Sequence, residues 1–516
     1  MNILIDSIAD NYMDEWINSL LDRLNIERCA VVFSDKELLN NGKVANNYAT
    51  SKYFFWEVLF AQSERFYQEP PIEPVDTILL KKMEPYVDEI FWMMERCENR
   101  EYNHRWRMYC KHLRLWNHIL ESMHINCFVC CAVPHEVYSF IIYALCKIKN
   151  IPVIGISVSN FFGYFYVFTD IKNQLPHLKT TLKEIEKKYE QIPTENISLY
   201  IGLDKVFDSY YGKEDLTPYY MVAHRNYEKK QQELVNILRR KKNLVKTRMR
   251  FLIWGMRHFF KFNPQVFESM SSLAYKTDVF REPETWLQYY KAHSVVADYT
   301  QKYIYVPLHM QPENSSSPLG GKYVDQLLMV NLLAYYLPEG YYLYVKDHPD
   351  QLQQSQVYTF SSHRNIQFYQ ELEKIRNVRL IYYTEDTYKL IQNSCAVATL
   401  TGTAGFEAII YNKLFFMFGY NFTQYAPNVI TIRTKEDCVR AMDTMLQYNQ
   451  SPQTTKKRMK LFFKALEGVL HVGQPYVEPQ FRAMVSDQEI EEWKQNLINA
   501  CYDKIVEVFG ESVTNV

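Results

Sequence analysis

Short apolar runs alternate along this chain with longer stretches in which apolar side chains recur every three or four positions. The first pattern fits buried strands and the second amphipathic helices. Strands are predicted at residues 2–5, 29–33, 127–133 and 151–156, with helices at 16–24 and 137–149. Residues 50–120 read as helical, aromatic and charged, broken by Pro70, Pro71 and Pro74, and residues 170–290 read as helical and polar. From residue 302 the alternation resumes. Strands are predicted at 303–308, 341–345, 378–382, 396–400, 414–418 and 429–432, with helices at 324–337, 368–375, 387–393, 406–411 and from 436 onward. A helix from Asp487 to about Phe509 closes the pattern. Strand–helix alternation of this kind predicts parallel sheets covered by helices, an α/β protein with two Rossmann-like halves. The expected division is 1–300 with helical insertions at about 50–120 and 170–290, 301–470, and C-terminal helices over 471–516.

The polar punctuation falls where such a fold places chemistry. Three polar turns in the second half, at 309–313, 346–350 and 401–407, each follow a predicted strand at its carboxyl end. In the last, Thr401-Gly402-Thr403-Ala404-Gly405 breaks a strand with glycines and hydroxyls just before a helix. Glycines let backbone approach a ligand, and the first amides of a helix favour an anion. Glu407, one turn on, could accept bonds from ribose hydroxyls. A plain strand–helix turn with a threonine cap reads the same residues equally well. The motif is neither G-x-G-x-x-G nor a Walker loop. In the first half, His135-Glu136 follows the strand at 127–133 directly. It reads as an acid–base pair, or as a helix-start carboxylate beside a histidine satisfied by backbone.

Composition narrows the class. The chain has 516 residues, 47% hydrophobic and 23% charged, with a net charge of −1, so no global field draws it to nucleic acid. Its start lacks a basic, long-apolar leader, and no window approaches the ~20 apolar residues that span a bilayer, so a cytoplasmic protein is expected. Cys127-x-x-Cys130 lacks a second pair and reads as core cysteine rather than as a metal site. One segment stands apart: Leu238 to Phe262 interleaves Arg239, Arg240, Lys241, Lys242 and further cations with Trp254 and other apolar residues. It suits the inner face of an anionic membrane or a lipid-linked acceptor, or else a solvated helix face.

In order, Pro307-Leu308-His309-Met310-Gln311-Pro312-Glu313, Val345-Lys346-Asp347-His348-Pro349 and Thr401-Gly402-Thr403-Ala404-Gly405-Phe406-Glu407-Ala408 resemble the capsular and surface polysaccharide biosynthesis glycosyltransferases. The likeness covers about residues 300–440, with Val133-Pro134-His135-Glu136 as a weaker echo. Its His-Pro turn is similar to that of bacterial sialyl- and Kdo transferases. The resemblance implies a GT-B fold, two Rossmann-like domains facing a cleft with a C-terminal helix packing back. It implies transfer of a sugar from a nucleotide donor, a CMP-sugar in the last two groups, to a surface or capsular glycan. Donor contacts would come from Gln311, Glu313, Lys346, His348, Pro349, Thr401, Gly402, Thr403, Gly405 and Glu407, and catalysis from His135, Glu136 and His348. The chain lacks Asp-x-Asp, so a reaction without metal or other cofactor is expected. Two departures stand out. Tyr411-Asn412-Lys413 replaces the family's usual approach to the last strand, and the segment after the His-Pro turn is Gln-rich rather than basic, with Arg364 further on. A polyol-phosphate transferase and a non-catalytic binding relative are the alternatives.

Overall fold

The computed structural model describes residues 1–59, 72–97, 101–200, 202–212, 285–311, 313–354, 364–477, 482 and 484–515. The basic segment with Arg239, Arg240, Lys241, Lys242 and Trp254 lies outside the described residues, as does Pro312.

Two sheets carry the molecule. The first contains β1 (Asn2–Ile8), β2 (Arg28–Phe33), β3 (Ser51–Phe54), β4 (Cys127–Cys130), β5 (Val153–Val158) and β6 (Tyr164–Phe168). The second contains β7 (Lys302–Pro307), β8 (Tyr341–Lys346), β9 (Val378–Leu380), β10 (Ala396–Thr399), β11 (Leu414–Met417) and β12 (Val429–Thr431). A two-residue strand, β13 (His471–Val472), returns to the edge of the first, so the orders are β13-β6-β5-β4-β1-β2-β3 and β12-β11-β10-β7-β8-β9. Strands β1 to β5 and all six strands of the second sheet pair in parallel; β6 and β13 run antiparallel at the edge. The central parallel strands, such as β2, β4, β10 and β11, are buried on both faces, which is why they read as apolar runs. This is the GT-B arrangement of two doubly wound halves.

Strand order reverses at one place in each sheet. From β1 the chain winds out through β2 and β3, then returns to place β4 on the other side; from β7 it winds through β8 and β9, then returns to place β10. Ligands of doubly wound folds bind at the carboxyl ends of strands beside such a reversal.

Three strands escape the sequence pattern. β3 is a four-residue edge strand at the head of the stretch expected to be helical. The rest of that stretch, as described, is helix, at Phe55–Leu59, Thr77–Cys97 and Tyr102–Ser122. β6 and β13 are edge strands too short or too uniformly aromatic to show alternation.

The tyrosine-rich strands of the second half also find a physical reason. Tyr303 and Tyr344 stack with ring centroids 4.1 Å apart, and their hydroxyls donate to the carbonyls of Leu390 (2.8 Å) and Asp298 (2.9 Å). The rings fill the core while the hydroxyls reach helix ends and loops.

The halves are joined across their carboxyl edges. Phe161, in the loop after β5, packs edge-on against Phe406 at 5.7 Å and also against Phe422 and Phe463. Glu89, 1% exposed, takes Lys172 at 3.0 Å and Lys322 at 3.4 Å. The C-terminal helix Asp487–Phe509 packs back on the first half against β5, β6 and β13, with Leu497, Ile498, Cys501 and Ile505 in the core.

Candidate functional site

The reversal in the second sheet lies between β7 and β10, and it is flanked by two of the three polar turns. The helix Thr403–Ile410 begins inside the Gly/Thr turn, three residues before the sequence pattern predicts. Its N-cap is Gly402, whose side chain can cap nothing, so the threonine-cap reading does not hold. Thr401 is turned inward: its hydroxyl donates to the Ser315 carbonyl (3.0 Å) and its N–H to His309 Nε2 (3.2 Å). That leaves the start of the helix with no side chain of its own N-cap to satisfy its amides, an arrangement that favours an anion.

His309 fixes this turn. Because Nε2 accepts from Thr401, Nδ1 carries the proton and donates to Ser315 Oγ (3.3 Å), which donates in turn to Glu313 (3.1 Å). Burial holds His309 neutral, with its pKa pushed down to about 3, and the nearby charges of His348 and Arg364 push the same way. A Cβ on Gly402 would lie 3.2 Å from His309 Nε2, so the glycine keeps the turn close to the imidazole. Gly405 serves packing instead: a Cβ there would meet the Phe415 ring at 2.4 Å, so its absence lets the helix lie against β11.

The β7 and β8 turns are tied by a buried cation. Arg364, with no exposed side-chain surface, donates from Nε to Asp347 (2.9 Å), from Nη1 to Gln311 Oε1 (2.7 Å) and from Nη2 to the His309 carbonyl (3.1 Å). Tyr369 donates to the same Asp347 oxygen at 2.6 Å, and Asp347 Oδ1 accepts the His348 N–H at 2.8 Å. Gln311 spends its amide on the Val324 carbonyl (2.9 Å) and its oxygen on Arg364 and Gln326. Lys346 points to the other face of the sheet, donating to the Glu385 carbonyl and the Thr387 hydroxyl, each at 2.7 Å; burial pushes its pKa down to about 8. Gln311 and Lys346 therefore build the turns. His348 and Pro349 are half-buried, with Pro349 opening the helix Pro349–Gln354, and Glu313 is exposed. Glu407 is 4% exposed, on the helix face toward Tyr305.

In the first sheet the reversal lies between β1 and β4, and the turn after β4 carries His135 and Glu136. His135 Nδ1 lies 2.6 Å from the Val133 carbonyl, which fixes that nitrogen as donor, and Nε2 lies 3.9 Å from Glu136 Oε1. Both side chains stay partly open, 34% and 25% exposed.

Sequence reasoning left out the side chains of His309, Asp347 and Arg364. His309 opens a visible turn, but Arg364 comes after a Gln-rich stretch with no local signal tying it to either turn. Cys127, Cys130 and Cys131 are buried, and burial raises their thiol pKa values. Among the described residues no group of His, Cys, Asp and Glu could hold a metal ion, and no helix is long and apolar enough to cross a membrane.

Comparison with known proteins bears on the second half. A comparison with curated proteins finds no match. Similar solved structures include Thermosulfurimonas dismutans KpsC, a β-Kdo 2,7 transferase, at 11% identity over 82% of this chain and 97% of that one, with a TM-score of 0.29. UDP-GlcNAc 2-epimerase from Neisseria meningitidis, bound to UDP-GlcNAc, is 12% identical over 98% of this chain and 99% of that one, with a TM-score of 0.24. Likenesses this loose say nothing about substrate. Residues 256–432, which contain all three polar turns, match the family described as capsule polysaccharide biosynthesis protein.

Proposed function

We propose that this protein is a glycosyltransferase that moves a sugar from a nucleotide-activated donor to a surface or capsular polysaccharide. The observation that carries the reading is the pair of polar turns, His309 to Glu313 and Thr401 to Gly405, flanking the strand-order reversal of the second sheet. On this reading the donor's phosphate lies over Gly402 and Thr403 at the start of the helix, His348 and Pro349 border it, and Glu407 accepts from the ribose. Arg364 and His309 act behind these residues by holding the turns in place. Helix amides and cationic side chains, rather than a divalent cation, offset the charge of the departing phosphate. The acceptor lies against the first sheet, bordered by His135 and Glu136. The chain is read as two units meeting near residue 300, with peripheral attachment to anionic lipid through Arg239 to Lys261.

The test is a thermal-shift series with CMP, CDP, UDP and GDP. A ligand that binds only the folded state at about 100 times its Kd stabilises by about 2.7 kcal/mol. One nucleotide should raise the melting temperature well above the rest. No shift with any of them up to millimolar concentration overturns the reading. Attachment to lipid predicts co-sedimentation with anionic vesicles that weakens with salt.

A further inference from the structure

Asp6 ends the regular part of β1, directly across the strand-order reversal from the His135-Glu136 turn. It pairs in register with Cys130, the last residue of β4. After it the strand is deformed. Ser7 has φ of 59°, in the left-handed region that a residue with a Cβ seldom adopts, and the β1–β2 register shifts between Ile5 and Ile8. A bulge of this kind re-aims side chains at a strand end, and strained backbone of this sort gathers at functional sites. Tyr138, two residues beyond Glu136, donates its hydroxyl to Asp6 Oδ1 at 2.6 Å. A carboxylate only 8% exposed is thus held by one neutral donor at the place where α/β folds put chemistry.

We propose that Asp6 is the proton acceptor of the transfer reaction and that Tyr138 is its positioning residue. The assignment rests on the transferase reading above. The Asp6 carboxylate takes the proton of the acceptor hydroxyl. The freed oxygen pair bonds to the anomeric carbon, and the bond from that carbon to the donor phosphate breaks with its electrons leaving on the nucleotide. The surroundings suit the task. Burial pushes the Asp6 pKa up to about 7, the Tyr138 hydrogen bond opposes that, and the Glu136 charge adds to it. The thiols of Cys130 and Cys131 lie near enough to feel the Asp6 charge, and burial raises the pKa of both well above the usual thiol value. A base that titrates near the working pH is the most effective one. His135, more open than Asp6, would then orient the acceptor sugar.

The experiment measures nucleotide release from a panel of CMP-, UDP- and GDP-linked sugars against pH, for the wild type, Asp6→Asn and Tyr138→Phe. The melting temperature at pH 8 and nucleotide affinity are recorded beside it. The wild-type rate should rise with pH through a limb near 7. Asp6→Asn should lose at least about 100-fold in turnover and lose the limb, as removal of a general base does. It should keep nucleotide affinity and be no less stable at pH 8, since it removes a buried charge while keeping an acceptor for Tyr138. Tyr138→Phe should move the limb to higher pH. Turnover of Asp6→Asn within threefold of wild type, an unchanged limb, or turnover and stability lost together overturns the assignment and leaves the transferase reading standing. A wild type that neither binds nor releases any nucleotide takes down both.

Discussion

Replacing Arg364 by methionine removes the cation that joins the two turns of the second half while filling much of its volume. In the folded protein the guanidinium has no contact with solvent; it donates to Asp347, Gln311 and the His309 carbonyl at 2.7–3.1 Å and lies 4.3 Å from the centre of the Phe368 ring. Its loss leaves the Asp347 carboxylate buried with the Tyr369 hydroxyl and the His348 amide as donors and no cation among the described residues. Breaking a buried pair from one side costs about 3–5 kcal/mol, because the remaining charge is uncompensated. The assay is hydrogen exchange of amides in β7 and β8, which reports the opening free energy of that sheet. At one decade for each ~1.4 kcal/mol, protection should fall by roughly 100-fold or more. Adding Asp347→Asn removes the orphaned charge, so the double variant should recover part of the loss. A single variant within tenfold of wild type, or a double variant worse than the single, refutes the idea that this ion pair holds the turns.

Three further outcomes are expected. His309 has its pKa lowered from 6.5 to about 3, so the unfolded chain takes up a proton that the folded one refuses; stability should fall by about 1.4 kcal/mol per pH unit as pH drops below 6.5. His309→Gln should flatten the pH dependence of the melting temperature between pH 7 and 5, and an identical slope would contradict the neutral, Thr401-bound ring. Gly405→Ala should cost about 1–3 kcal/mol by urea unfolding, since its Cβ would overlap the Phe415 ring; a neutral result would mean that the helix is not held against β11. Thr403→Val should weaken nucleotide affinity by the worth of one bond to a charged group, about 1.5–3 kcal/mol, with little change in melting temperature; calorimetric titration with unchanged affinity would remove Thr403 from the phosphate site.

The sequence pattern reveals most of the second sheet because its central strands β7, β10 and β11 are nearly unbroken apolar runs. Helix Thr387–Asn393 is legible to the residue, since Asp386 caps it by accepting from the Tyr388 and Lys389 amides. The glycines of the Thr401–Gly405 turn are legible as glycines but not as to purpose. Whether a missing Cβ makes room for a ligand, for His309 or for Phe415 depends on contacts far along the chain. Arg364 and Asp6 stayed hidden for a related reason. Each draws its character from partners far away in sequence, Arg364 from His309, Gln311 and Asp347, and Asp6 from Tyr138. A lone aspartate in an apolar strand reads as ordinary until burial and its tyrosine partner are seen.

The central claim is that sugar passes from a nucleotide to a glycan. It is tested most directly by incubating the purified protein with CMP-, UDP- and GDP-linked sugars, with and without purified capsular or surface polysaccharide. Nucleotide release and acceptor mass are followed together. The account predicts release that depends on the acceptor, for one donor class, with a mass gain of one sugar residue per nucleotide freed. Nucleotide binding with no acceptor-dependent release, or a mass gain equal to a polyol phosphate, would contradict it.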